Sequence, residues 1–103
     1  ALGCNFVRLA HYPHSEATLR LADELGLIVW AEIPVYWEHI RYDSAHTLAL
    51  ARSMQADMIR RDRNRCSIAL WSVANETPIT DARNAFLRTL IADARALDPT
   101  RLL

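Results

Sequence analysis

Three short β-prone runs alternate with three stretches whose apolar residues recur at helical spacing, and this order predicts parallel strands joined by right-handed helical crossovers. The first run covers residues 5–11, where Pro13 pushes Tyr12 into an extended conformation and closes the segment. The second, Leu27-Ile28-Val29-Trp30-Ala31-Glu32-Ile33, is almost unbroken in its apolarity, as in a strand covered on both faces, and it stops at Pro34. The third starts at Ser67 and ends on an amide and a carboxylate, Asn75 and Glu76, before Pro78 bars continuation of the ladder. Between these runs, Ser15 caps a predicted helix over 16–25, with Ala17, Leu21, Ala22 and Leu25 on one face and Gly26 as its stop. Ser44 or Thr47 caps a second helix to about Arg61, with Leu48, Ala51, Met54 and Met58 as its buried stripe. Asp81 caps a third, with Phe86, Leu87, Leu90, Ile91, Ala94 and Leu97 on one face, and Asp98-Pro99 ends it before a fourth strand begins at Leu102. An open doubly wound sheet and part of a (β/α)8 barrel both satisfy this order, and three units are too few to close a barrel.

Composition narrows the function classes. The 103 residues form one small domain at most, and 51% of them are apolar, enough for a modest core. Twelve basic residues balance twelve acidic ones, so there is no basic field of the kind a nucleic-acid partner requires. No apolar run approaches the roughly 20 residues of a membrane span, and Ala1-Leu2-Gly3-Cys4 lacks the charged start of a signal peptide. Cys4 and Cys66 have neither CxxC spacing nor a Cys/His cluster around them, which predicts buried thiols and no metal site. Gly3 and Gly26 are the only glycines, so a phosphate-cradling loop is absent and no cofactor is expected. The run Arg60-Arg61-Asp62-Arg63-Asn64-Arg65 reads as a solvated helix end whose cations complement the dipole. The lack of an initiator Met and the strand starting at the C-terminus predict a piece of a larger protein, and the compartment is left open.

Parallel strands direct all their C-terminal ends to one rim, where ligands bind in folds of this class. Arg8 and His11, Glu32, and Asn75 with Glu76 lie at those ends and would converge. An acid, a cation, an imidazole and an amide suit a polyhydroxylated ligand: carboxylates and amides take its hydroxyls, a glutamic acid donates a proton, and loop tryptophans pack on the ring. A simpler reading makes Arg8 the partner of a buried Glu32. Adjacent Asn75 and Glu76 point to opposite sides of a regular strand, so both reach the rim only if the strand bulges or breaks there. The aromatic stretch 35–43, with Tyr36, Trp37, His39 and Tyr42, follows the second strand as a candidate binding loop.

Asn5-Phe6-Val7-Arg8-Leu9-Ala10-His11-Tyr12-Pro13, followed by Gly26-Leu27-Ile28-Val29-Trp30, closely resembles the first signature of glycoside hydrolase family 2. Asp62-Arg63-Asn64-Arg65-Cys66-Ser67-Ile68-Ala69-Leu70-Trp71-Ser72-Val73-Ala74-Asn75-Glu76 resembles its second, the acid/base signature. Leu9 stands where the family has a small residue and Cys66 where Pro, Ser or Ala is commoner; neither touches the expected chemistry. The resemblance covers essentially the whole chain and implies an incomplete TIM barrel, about its second to fourth β/α units, so that residues 1–103 are a fragment of a catalytic domain. It implies retaining hydrolysis of a β-glycoside, with Glu76 as general acid and then base and Asn75 on the sugar 2-hydroxyl. It further implies that Arg8 and His11 build the substrate-binding site, with Glu32 beside them, and Trp37 belongs to the same expected site. The family's nucleophile is a second Glu on a later strand, so the isolated chain is expected to be inactive. Residues 31–37 look closer to the β-glucuronidase and β-galactosidase members. Two other readings stand beside this one: a noncatalytic module that binds carbohydrate or protein through Tyr36 and Trp37, and a structural piece whose open strand edges pair with the rest of a barrel or with another copy.

Overall fold

The computed structural model describes residues 2–103. Along the chain run β1 (Phe6–Leu9), α1 (Glu16–Leu25), β2 (Ile28–Glu32), α2 (Ala45–Asp62), β3 (Ile68–Ser72) and α3 (Asp81–Leu97). The strands form one open parallel sheet in the order β1-β2-β3, the β/α alternation expected from the sequence. β1 is shorter than expected. Its ladder stops at Leu9, which leaves Ala10 and His11 outside the strand, and the Ala10–His11 peptide is cis.

Register explains how the two faces differ. Leu9, Ala31 and Trp71 lie side by side and are buried together with Val29, Ile59, Phe86, Leu90 and Ala94. Arg8, Trp30 and Leu70 also lie side by side, on the opposite face because side chains alternate along a strand. That second face carries Phe6 and Ile28 exposed at one end and Glu32 at the other. A register shift at Val29/Trp30 brings β3 into step with β2.

The helix ends obey local chemistry. Ser15 and Ser44 cap α1 and α2 by accepting from Thr18 N and Thr47 N, and Gly26 ends α1 with φ 68°, a left-handed conformation that costs glycine little. For α3 the cap is Thr80, not Asp81. Thr80 has the extended backbone a cap requires and accepts from Arg83 N, while Asp81 is the first helical residue, placing its charge near the positive end of the dipole. The expected face of α1 is also corrected. Leu19 and Ala22 are buried, whereas Ala17, Leu21 and Leu25 are exposed, because the helix is rotated to set Leu19 against the sheet.

Neither thiol is buried, contrary to expectation: Cys4 precedes β1 and Cys66 lies in the turn into β3, both exposed. Cys66 Sγ donates to Asp23 Oδ1 at 3.3 Å. The basic run is more than a solvated helix end. Arg61 grips the buried Asp62 with both Nε and Nη2 and reaches His14 O at 2.7 Å, while Arg65 faces Asp23 and Glu16. Where a fourth strand was expected, Leu102 makes an isolated parallel bridge to Leu70. Among the described residues no helix is long and apolar enough to cross a membrane.

Candidate active site

The C-terminal ends of the strands hold a connected polar cluster. Arg8 donates to Glu32 Oε2 from Nε at 3.0 Å and from Nη2 at 2.8 Å, and Nη2 also donates to Asn75 Oδ1 at 2.6 Å. His11 Nδ1 meets the other oxygen, Glu32 Oε1, at 2.5 Å. Arg8, His11, Glu32 and Asn75, distant in sequence, are thus brought into one network. Glu32 sits at its base: its side chain is 1% exposed, while those of Arg8 and His11 are about one-third exposed. The expected Arg8–Glu32 pair is present. The Arg8 guanidinium carbon also lies 4.5 Å from the Trp30 ring centroid, within cation–π range. That contact was absent from the sequence reading, although Arg8 and Trp30 are register partners and a parallel alignment of the two runs would have paired them.

The break expected near Asn75 and Glu76 is present. β3 ends at Ser72, and Asn75 then forms an isolated parallel bridge with Tyr36: Asn75 N donates to Val35 O at 2.9 Å and Trp37 N donates to Asn75 O at 3.1 Å. The residue after each bridge partner takes a positive φ, 64° at Trp37 and 47° at Glu76. Non-glycine residues in this region are uncommon and cluster at functional sites. Here the turn carries Glu76 away from the ladder that holds Asn75 and resolves the parity problem. Glu76 is exposed and lines a cleft of about 370 Å3 with Trp37, Glu38, His39, Thr77 and Pro78.

The cleft's aromatic wall is braced from beneath. His11 and Tyr36 rings lie 5.3 Å apart, Tyr36 meets Trp37 edge-on at 5.2 Å, and Trp37 meets His39 edge-on at 5.6 Å. Tyr42 Oη donates to Trp37 O at 2.8 Å, and its ring stands against Phe86. Burial pushes the Tyr42 phenol up, with the charge of Arg83 opposing, so it remains a donor at neutral pH. Behind Thr77, Arg83 Nε donates to Thr77 Oγ1 at 2.7 Å and ties the segment after Glu76 to α3. The sequence reading missed Thr77 and Arg83; an i, i+6 pair spanning a loop and a helix start has no periodic signature. Among the described residues no group of three His, Cys, Asp or Glu side chains is arranged to hold a metal ion.

Compared with known families, residues 1–103 match "Glycosyl hydrolases family 2, TIM barrel domain". A β-glucuronidase of Rattus norvegicus is 38% identical over 104 aligned residues, covering 97% of this chain and 16% of that protein. The apo structure of Bacteroides uniformis β-glucuronidase 3 superposes with a TM-score of 0.87 at 39% identity, over 96% of this chain and 13% of that one. A family 2 β-galacturonidase from Eisenbergiella tayi, bound to galacturonate, gives a TM-score of 0.90 at 29% identity, over 96% of this chain and 18% of that one. The chain therefore spans about a sixth of the length of the β-glucuronidases it matches.

Proposed function

This chain belongs to the glycosyl hydrolase family 2 TIM-barrel domain, and from that premise we propose that the protein containing it hydrolyses β-linked uronic acid glycosides, β-glucuronides first, with retention of configuration. The three β/α units are an arc of the family's barrel. One observation carries the reading: Arg8, His11, Glu32 and Asn75 share a single hydrogen-bonded network at the strand ends, with Glu76 exposed beside it.

Each residue takes a role that its position allows. Glu76 is the general acid that protonates the glycosidic oxygen and the base that later activates water. Asn75 offers its amide to the sugar 2-hydroxyl: with Oδ1 accepting from Arg8, Nδ2 is the end left to donate. His11 and Arg8, each partly open, hold further sugar oxygens, and Trp37 packs on a ring. Glu32 serves the site from beneath. Its two oxygens face Arg8 and His11, so it is not the nucleophile; that role falls to a Glu outside this chain, about 5 to 5.5 Å from Glu76. The remaining barrel strands supply it, and residues 1–103 alone are the acid/base half of the site.

The test uses the complete protein with 4-nitrophenyl β-D-glucuronide, β-D-galacturonide and β-D-galactoside. Turnover is expected on the glucuronide and is expected to fall on the order of 100-fold or more in Glu76→Gln, since general acid–base catalysis supplies about 10²–10⁴-fold. Unchanged turnover in that variant would defeat the reading. The noncatalytic alternative rests on the exposed Trp37, and it gains if saccharide binding survives Glu76→Gln, disappears in Trp37→Ala, and no substrate turns over.

A further inference from the structure

We propose that Glu32 is a positioning residue whose buried carboxylate holds Arg8 against the Asn75 amide, so that the strength of the 2-hydroxyl contact is set one layer below the sugar. The inference rests on the functional reading above and deepens it. Its structural basis is a relay: Glu32 Oε2 takes both Nε and Nη2 of Arg8, and the same Nη2 donates to Asn75 Oδ1. A planar amide whose oxygen is engaged has its nitrogen turned the other way, so Arg8 determines where Nδ2 points. The Trp30 ring, 4.5 Å from the guanidinium carbon, offers no hydrogen-bond acceptor, so the Glu32 carboxylate supplies the paired directional contacts that fix Arg8 from below. The same carboxylate engages His11 through Nδ1, which leaves Nε2 as the ring's free nitrogen. Glu32 acts through these partners and does not touch the substrate; its side chain is 1% exposed.

Two substrates separate positioning from simple structural support. In the complete protein, Glu32→Gln keeps the side chain's shape but leaves Arg8 a weaker, neutral acceptor. On 4-nitrophenyl β-D-glucuronide, kcat is expected to fall roughly 10- to 100-fold with a smaller change in KM, since hydrogen bonds to the 2-hydroxyl strengthen in the transition state. On the matching 2-deoxy glycoside, which has no 2-hydroxyl, the same substitution is expected to cost clearly less, the remaining loss reflecting looser Arg8 and His11 contacts to other sugar oxygens. Glu32→Asp provides a second variant that keeps the charge but, one methylene shorter, draws the carboxylate back from Arg8; it is expected to show the same selectivity. Equal losses on the two substrates, or no loss on either, would overturn the proposal. If Glu32→Gln does not fold, the Glu32→Asp comparison decides alone. Failure of the functional reading looks different: Glu76→Gln would then leave turnover intact, and the positioning role would fall with it.

Discussion

The carboxylate of Asp98 accepts four hydrogen bonds, from Trp71 Nε1, the Thr100 amide and hydroxyl, and Arg101 Nη1. Burial opposes its ionisation, yet these donors hold its carboxyl well below the usual carboxylate range. A depressed folded-state pKa means that the stabilisation is fully present above the unfolded value near 4 and is lost as pH falls below it, towards the folded value. Asp98→Asn is therefore expected to destabilise the fold by about 3 kcal/mol at pH 7. In urea denaturation followed from pH 7 to pH 2, the gap to wild type should narrow below about pH 4. A gap of constant size across that range would show that the charge contributes nothing. From the sequence Asp98 was legible only as a helix stop before Pro99. Its partners arrive from β3 and from the segment after α3, and no local pattern joins them. Gln55 is a similar case: it is fully buried in α2 at a position where polarity alone would have placed it outside.

At the scale of elements, the helix boundaries follow short-range rules and were largely legible. Ser15, Ser44 and Gly26 stand where their chemistry predicts, and α3 differs from expectation by one residue at its cap. Gly26 gives a clean test, because a Cβ added there would meet nothing within 4 Å, so only its φ of 68° resists substitution. Gly26→Ala is expected to cost about 1–2 kcal/mol and Gly26→Asn clearly less, since Asn tolerates the left-handed region. Thermal unfolding of the two variants checks the order; equal losses would point to a contact rather than the backbone. Helix orientation was less legible. Leu21 and Leu25 invite burial by their type, but Leu19 and Ala22 face the sheet, and which stripe turns inward depends on how the whole element docks.

The whole molecule is an open arc. Phe6 and Ile28 are exposed on the sheet face opposite the helices, β1 has a free edge, and among the described residues there is beside β3 only the isolated bridge of Leu102. In a closed barrel the inward side chains pack in layers supplied by all the strands. Produced alone, the 103-residue chain is expected to hydrolyse no β-glucuronide and to self-associate through these edges at micromolar concentration. Sedimentation velocity should show species well above 11.7 kDa. A stable monomer that turns over substrate, with the turnover lost in Glu76→Gln, would refute the assignment of the nucleophile to another part of the protein.

The sequence by itself determined the order of elements, their parallel pairing and the rim on which Arg8, His11, Glu32, Asn75 and Glu76 gather. Those follow from periodicity, caps and proline stops, which act over a few residues. Only the tertiary structure decided that Glu32 lies buried beneath Arg8 and His11, that Arg8 donates to the Asn75 amide oxygen, and that a positive φ turns Glu76 into the cleft with Trp37. It also placed both cysteines at the surface and enlisted Arg61 and Arg65 as clamps. The physical reason is range: the site's hydrogen bonds and ion pairs depend on residues 21 to 67 positions apart meeting at one point, and that meeting is a property of the packed sheet.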